Sequence, residues 1–259
     1  MLTMTSAART HVGRVRTSNE DSMLVSDWFV AVADGLGGHA SGEVASRIAV
    51  ERLKELEELD PVQPDDVIAA IEDANRRIVA ETHRHREHQG MGTTLTGLGI
   101  VDVAGSQHCV VFNVGDSRVY RFADGALGQV TVDHSEVEEM RAAGVISARD
   151  AATHPRRNVV TRCLGSIPHP TPDLWVFPPS GQERFLVCSD GLTNEVDDAG
   201  IAEVLGGPGD PAAAAEELVE RALAAGGRDN IAVIVVDLTS VDTQTINVDT
   251  QPRVRPAPN

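Results

Sequence analysis

Aromatic residues are scarce in this chain: two Trp, one Tyr and five Phe among 259 positions. The core must therefore be built from Val, Leu, Ile and Ala. Cysteine is nearly absent as well. Cys109, Cys163 and Cys188 each sit among apolar neighbours, and no CxxC spacing occurs. That excludes a disulfide framework, argues against a zinc or redox site, and suits free thiols in a reducing compartment. No apolar run exceeds six residues, far short of a membrane span. The opening MLTMTSAARTHVGRV has neither the apolar stretch nor the cleavage signature of a signal peptide, so a cytoplasmic protein is expected. Positive charge is in deficit too, with 22 Lys and Arg against 39 Asp and Glu and a net charge of −17. Nucleic acid and anionic lipid both demand basic patches, so neither is an expected partner and a nuclease is excluded. A phosphate group can approach such a surface only where a metal or an arginine inverts the local field.

What is present is an ordinary globular composition, 41% hydrophobic and 24% charged, in a chain long enough to bury a sizeable core. SMLVS and WFVAVA read as neighbouring strands. A helix opening at Ser41 carries Val44, Ala45, Ile48, Ala49, Leu53 and Leu56 at helical spacing, and a second follows the break PVQPD with Val67, Ile68, Ile71, Ile78 and Val79 inward. TTLTGLGIVDV, HCVVFNV, RVYRF and LGQVTV then form a meander, with Asp124-Gly125 an ordinary hairpin turn. A short helix over 136–143, an irregular stretch to Gly165, the strands DLWVF and RFLVC, helices over 201–205 and 212–225 and the strand IAVIVV complete the pattern. Antiparallel sheets covered by helices on both outer faces, an α+β arrangement, fit this order better than βαβ units.

Two strands end in the same way: WFVAVADG closes on Asp34-Gly35 and RFLVCSDG on Asp190-Gly191. A third acidic turn, GRDN, places Asp229 and Asn230 just before IAVIVV. Asp-Gly is a common turn dipeptide, since glycine takes positive φ and aspartate bonds its own backbone. Three acidic turns at strand ends nevertheless point to carboxylates gathered at the rim of a sheet. Such groups repel one another unless cations join them, and oxygen ligands suit a hard metal, magnesium or manganese.

VRTSNEDS, VADGLGGHASGE, GMGTTLTG, NVGDSRVY, FLVCSDGL and GRDNIAVIVV, in this order, resemble the type 2C metal-dependent protein phosphatases, the PPM family, over Thr10 to Leu238. The resemblance implies a four-layer αββα sandwich with a dinuclear metal cleft at one end. Carried over residue by residue, Asp34 bridges two Mn2+ or Mg2+ ions, the Gly35 carbonyl binds one, and Asp190 and Asp229 bind the other. Glu20, Asp21 and Asn230 stand around metal-held waters. Arg16 grips the substrate phosphate with a planar fork. Asp116, in NVGDSR, matches an aspartate that binds a third ion together with the counterpart of Asp190. The implied catalytic set is Arg16, Asp34, Asp190 and Asp229, hydrolysing phosphoserine and phosphothreonine in phosphoproteins with a metal-activated water and no covalent phosphoenzyme.

One position departs from the eukaryotic pattern. The histidine that follows Asp-Gly there is replaced by Leu36, so the general acid is either His39 or water on a third ion near Asp116. Residues 144–165, with His154, Arg156 and Arg157, match the flap of bacterial members. His83, His85 and His88 suggest a metal cluster, but positions 83 and 85 do not share a helix face, and all three are expected to be exposed. The implied organisation is a monomeric catalytic domain over 1–239 and a disordered tail over 240–259. Two rival readings keep the same fold. One is a phosphatase dedicated to a single regulatory partner, a type that often lacks the arginine of VRTSNEDS. The other is a non-catalytic binding member, which the loss of a metal-binding aspartate would mark.

Overall fold

The computed structural model describes residues 1–37 and 41–240. In chain order the strands are β1 (Leu2–His11), β2 (Ser22–Val25), β3 (Phe29–Ala33), β4 (Gly35–Leu36), β5 (Gly92–Thr93), β6 (Leu95–Val103), β7 (Ser106–Val114), β8 (Arg118–Ala123), β9 (Ala126–Gln129), β10 (Asp173–Phe177), β11 (Gln182–Cys188) and β12 (Ile231–Ser240). The helices are α1 (Ser41–Lys54), α2 (Pro64–Arg84), α3 (Glu136–Ala142), α4 (Ala148–Thr153), α5 (Asp190–Thr193), α6 (Asp198–Leu205) and α7 (Pro211–Ala225).

Two five-stranded antiparallel sheets, ordered β1-β12-β11-β8-β9 and β10-β7-β6-β3-β2, lie face to face. Their facing side chains form one apolar layer that includes Val30, Val32, Leu98, Val111, Phe185, Ile234 and Val236. The outer face of the second sheet packs Phe29, Ala31 and Phe112 against Ala45, Leu53, Ile71 and Ile78 of α1 and α2. The outer face of the first packs Leu186, Val233 and Val235 against α6 and α7. Strands β3 and β12 are thus covered on both faces, which is why their sequences read as unbroken apolar runs. The result is the expected four-layer α+β sandwich.

Most elements fall where the residue pattern puts them, with some exceptions. β1 has no expected counterpart, yet it pairs with β12 over its whole length, from Leu2 opposite Ser240 to His11 opposite Ile231. Its Ala, Ser and Thr content gives too weak an apolar alternation to announce a strand. The irregular stretch after Gly144 contains α4, whose entry is a capping box: Ser147 Oγ accepts from Asp150 N–H, and the Asp150 carboxylate accepts from Ser147 N–H. That Ser-x-x-Asp signature was readable in the sequence. LGQVTV keeps strand pairing only to Gln129. The Asp124-Gly125 hairpin forms as expected, with φ of 51° and 76°, the backbone twist a two-residue hairpin favours.

Candidate active site

The carboxylates converge because their strands end on the same side of the sandwich. Asp34 follows β3, Asp116 follows β7 and Asp190 follows β11. Asp229 and Asn230 precede β12, and Arg16, Glu20 and Asp21 lie between β1 and β2. The turn at Asp34 is fixed by two threonines of the GMGTT segment. Asp34 N–H donates to Thr94 Oγ1 (2.9 Å), while Thr94 N–H (2.9 Å) and Thr93 Oγ1 (2.8 Å) donate to the Asp34 carbonyl. Asp190 opens α5 rather than closing β11, so its carboxylate sits at the first helical position.

Glycine makes the approach of these segments possible. A Cβ on Gly35 would meet the Gly42 carbonyl at 2.5 Å and the Glu20 carbonyl oxygen at 2.7 Å. A Cβ on Gly191 would meet the Asn230 carbonyl oxygen at 1.8 Å. The Asn230 side chain then stitches the 12–20 segment in place. Its Oδ1 accepts from Glu20 N–H at 2.9 Å, and its Nδ2 donates to the Val12 and Ser18 carbonyls, each at 2.9 Å. Asn230 thus holds the 12–20 segment through three bonds to backbone.

At the centre, the Asp34 carboxyl lies within hydrogen-bonding reach of both Asp21 and Asp190. Burial, reinforced by Asp21, Asp190, Asp116 and Asp229, pushes Asp34 well above the usual carboxylate range. Burial, then the fields of Asp190 and Asp229, raises Asp21 to about 7 against the bond it accepts from Ser189 Oγ. Burial, then Asp190 and Asp133, raises Asp116 to about 8. Asp190 is raised in the same direction by burial and Asp229. Asp21 Oδ1 is buried without a hydrogen-bond partner among the described residues. Arg16, half exposed, reaches Asp229 Oδ2 at 2.7 Å. Burial opposes its charge, but Asp229, Glu20 and Asp34 hold it above its usual value.

This donor set fits a hard divalent cation. It is made wholly of oxygen, mutually repelling, and includes an orphaned buried carboxylate oxygen. Among the described residues no group of three His, Cys, Asp or Glu side chains is arranged to hold an ion with protein ligands alone. Mg2+ and Mn2+ sites of the water-rich kind need only one or two carboxylates per ion. A cavity of about 690 Å3, lined by Asp116, Asp190, Arg118, Asp133, Arg157 and Asn158 among others, runs from the carboxylates to the segment 136–158.

The remaining sequence candidates divide. His39 and residues 241–259 lie outside the described residues. His83 and His85 are exposed, as expected, but His88 is partly buried and its Nδ1 stands 3.3 Å from Glu81 Oε1. Cys109 and Cys188 are buried and Cys163 partly so, all three as free thiols. Residue patterns also passed over the ion pair beside the site, in which Arg118 grips Asp133 through Nε and Nη2 (2.7 Å for the latter) and donates to Tyr120 Oη at 2.9 Å. The arginine of NVGDSR was its only visible signal.

A sandwich of two antiparallel sheets, wrapped by helices and carrying carboxylates at one rim, is an architecture suited to metal-dependent hydrolysis. Comparison with known proteins narrows it. The protein phosphatase 2C family profile matches residues 12–221, and the chain belongs to that family. The serine/threonine protein phosphatase PstP of Mycobacterium tuberculosis is 39% identical over 241 residues, 91% of this chain and 45% of PstP. The chain therefore spans about half the length of that relative. The serine/threonine phosphatase stp of Listeria monocytogenes is 36% identical over 240 residues, 88% of this chain and 94% of its own. Among solved structures, the PstP catalytic domain in complex with two manganese ions superposes with a TM-score of 0.84 at 36% identity, covering 93% of this chain and all of that one.

Proposed function

We propose that this chain is a metal-dependent protein serine/threonine phosphatase that hydrolyses phosphoserine and phosphothreonine without a covalent phosphoenzyme. The observation that carries the reading is the meeting of Asp21, Asp34, Asp116, Asp190 and Asp229 at one rim, with Arg16 as the cation at its mouth. Asp34 would hold two ions, helped by the Gly35 carbonyl; Asp190 and Asp229 would hold the second, and Asp116 with Asp190 a third. Glu20 and Asp21 would order water around them, while Asn230 holds the 12–20 loop in place. When bound, Mn2+ or Mg2+ neutralises the carboxylates and activates a water for in-line attack on phosphorus.

Arg16 orients the phosphate. Its half-exposed guanidinium can exchange the Asp229 contact for two phosphate oxygens, as a planar fork is suited to do. Leu36 has no proton to give, so we assign delivery of the leaving-group proton to the Asp116 corner rather than to His39. The catalytic unit is residues 1–240, closing with Ser240 of β12 rather than at 239, with 144–165 as a flap over the cavity. No helix among the described residues is long and apolar enough to cross a membrane, and the acidic surface suits a monomer acting in the cytoplasm. A non-catalytic role is disfavoured by the presence of every carboxylate the site needs, and a partner-dedicated one by the placement of Arg16.

The test is phosphate release from phosphothreonine, phosphoserine and phosphotyrosine peptides side by side, with chelator and with Mn2+ or Mg2+. Release from the first two that disappears with chelator and returns with metal is the expected result. Full activity in metal-free buffer would overturn the reading.

A further inference from the structure

The histidine of the TVDHS segment lies outside the carboxylate cluster, yet it is tied to it. His134 is buried, with 3% of its surface exposed. Its Nδ1 accepts from the Gly115 N–H at 3.1 Å, and the His134 backbone N–H donates to the Gly115 carbonyl at 2.9 Å. A backbone N–H can only donate, so Nδ1 carries no proton and the neutral ring carries its proton on Nε2. That nitrogen stands 3.1 Å from Asp173 Oδ2, whose other oxygen accepts from Arg162 Nη1 at 3.0 Å. Burial likewise disfavours the charged ring.

Two further observations give this chain of bonds a direction. Gly115 has φ of 117° and is packed so closely that a Cβ would meet Thr94 Cγ2 at 2.5 Å. The turn is thus stiff, and Asp116 is the next residue. His134 also anchors the returning end of the flap: Thr161 N–H donates to its carbonyl at 2.8 Å, Ser135 bridges Val160, and Glu136 N–H donates to the Val159 carbonyl at 2.9 Å. Residue 134 therefore joins the turn that carries Asp116 to the base of the flap through its backbone, and its imidazole adds the Gly115 N–H and the Asp173–Arg162 pair.

We propose that His134 is a positioning residue, whose Nδ1 locks the Gly115-Asp116 turn and so aims the Asp116 carboxyl toward Asp190, while the backbone of 134–136 fixes the base of the flap to the same turn. The proposal rests on the reading of Asp116 as a metal ligand given above. A histidine that merely filled core space would tolerate any replacement of similar volume. A positioning histidine is sensitive to which nitrogen is replaced. In His134→Asn the amide oxygen takes the place of Nδ1 and can keep the Gly115 bond. In His134→Gln the longer amide reaches toward Asp173 and the Gly115 bond is lost. The Asn113 Nδ2 bonds to the Gly115 and Val132 carbonyls, at 3.1 and 3.0 Å, hold the local fold in either variant.

The experiment compares the full chain with His134→Asn, His134→Gln and Asp116→Ala. Bound Mn2+ is counted by electron paramagnetic resonance, and kcat and KM are measured on a phosphothreonine peptide and on nitrophenyl phosphate. The expected result is that His134→Gln weakens the Asp116-dependent Mn2+ site by about 10–100-fold, the range for groups that orient a metal ligand. It should also lower the peptide kcat far more than the nitrophenyl kcat. His134→Asn should stay within a few-fold of the parent. Equal behaviour of the two His134 variants, or equal loss on both substrates with unchanged Mn2+ binding, would overturn the proposal. If Asp116→Ala loses an ion and His134→Gln does not, the His134 proposal alone fails. If Asp116→Ala binds as many Mn2+ as the parent, the Asp116 reading fails and takes the proposal with it.

Discussion

Two groups of buried charge stand side by side in this molecule and follow opposite rules. The Asp21–Asp34–Asp190 cluster gathers like charges, leaves a carboxylate oxygen without a hydrogen-bond partner among the described residues and drives its pKa values upward. The Arg118–Asp133 pair next to it is closed: three guanidinium contacts to one carboxylate, a bond to Tyr120 Oη, and from that hydroxyl a 3.0 Å bond to Asp198. The second group satisfies itself, and the first does not. A buried polar network that is complete rigidifies the fold, whereas one left open is held in place by the rest of the structure for a purpose.

The sharpest way to break this contrast is to remove one member from each side. Asp34→Asn or Asp190→Asn should lower phosphatase activity by at least about 10²-fold, the loss found even for outer groups at metal sites. Neither change should destabilise the metal-free protein, because each deletes a repelling charge. Arg118→Ala should do the reverse. It strands Asp133 and should cost stability toward the lower end of the about 3–5 kcal/mol seen for broken buried pairs, since the arginine is partly exposed. Urea unfolding in chelator, read beside activity in Mn2+, checks both. Equal destabilisation by Asp34→Asn and Arg118→Ala would erase the distinction.

The open group should also respond to pH. Folded-state pKa values of about 7 for Asp21 and about 8 for Asp116 lie above the 3.8 of a free aspartate. The folded state therefore binds more protons, and the stabilisation is complete below pH about 4 and lost as pH rises through 7 to 8. Metal-free protein should show a Tm that falls from pH 5 to 8, and Mn2+ should flatten or reverse that slope because it binds the ionised form. In Asp21→Asn the chelated protein should lose part of the slope. A Tm in chelator that rises over this window would contradict the open character of the cluster. The smallest expected effect is at the mouth. Arg16→Lys keeps the charge but not the fork, so KM should rise several-fold with kcat little changed; a normal KM with depressed kcat would move Arg16 from substrate binding to the transition state.

Three carboxylates of the candidate site were legible in the sequence, since each follows or precedes a strand beside a recognisable neighbour: Gly35 after Asp34, Gly191 after Asp190, Asn230 after Asp229. Less of the surrounding support was legible. β1 was missed because Ala7 and Ala8 give no apolar rhythm, and what makes it a strand is the waiting edge of β12. Asn230 reads as a site residue from its motif, but three hydrogen bonds show it clamping the 12–20 loop. His88 reads as exposed in a run of polar residues, yet the end of α2 folds it onto Glu81.

The sequence by itself determined the oxygen-only character of the site, the acidic field that makes a cation necessary, and the apolar runs that become doubly covered strands. Those properties belong to residue types and their local order. Only the tertiary structure decided which carboxylates share a neighbour, and that Arg118 is closed by Asp133 while Arg16 stays at the mouth. Residues separated by a hundred positions or more meet here because antiparallel strands return their ends to one rim. The cost of burying a charge is set by that meeting rather than by the residue alone.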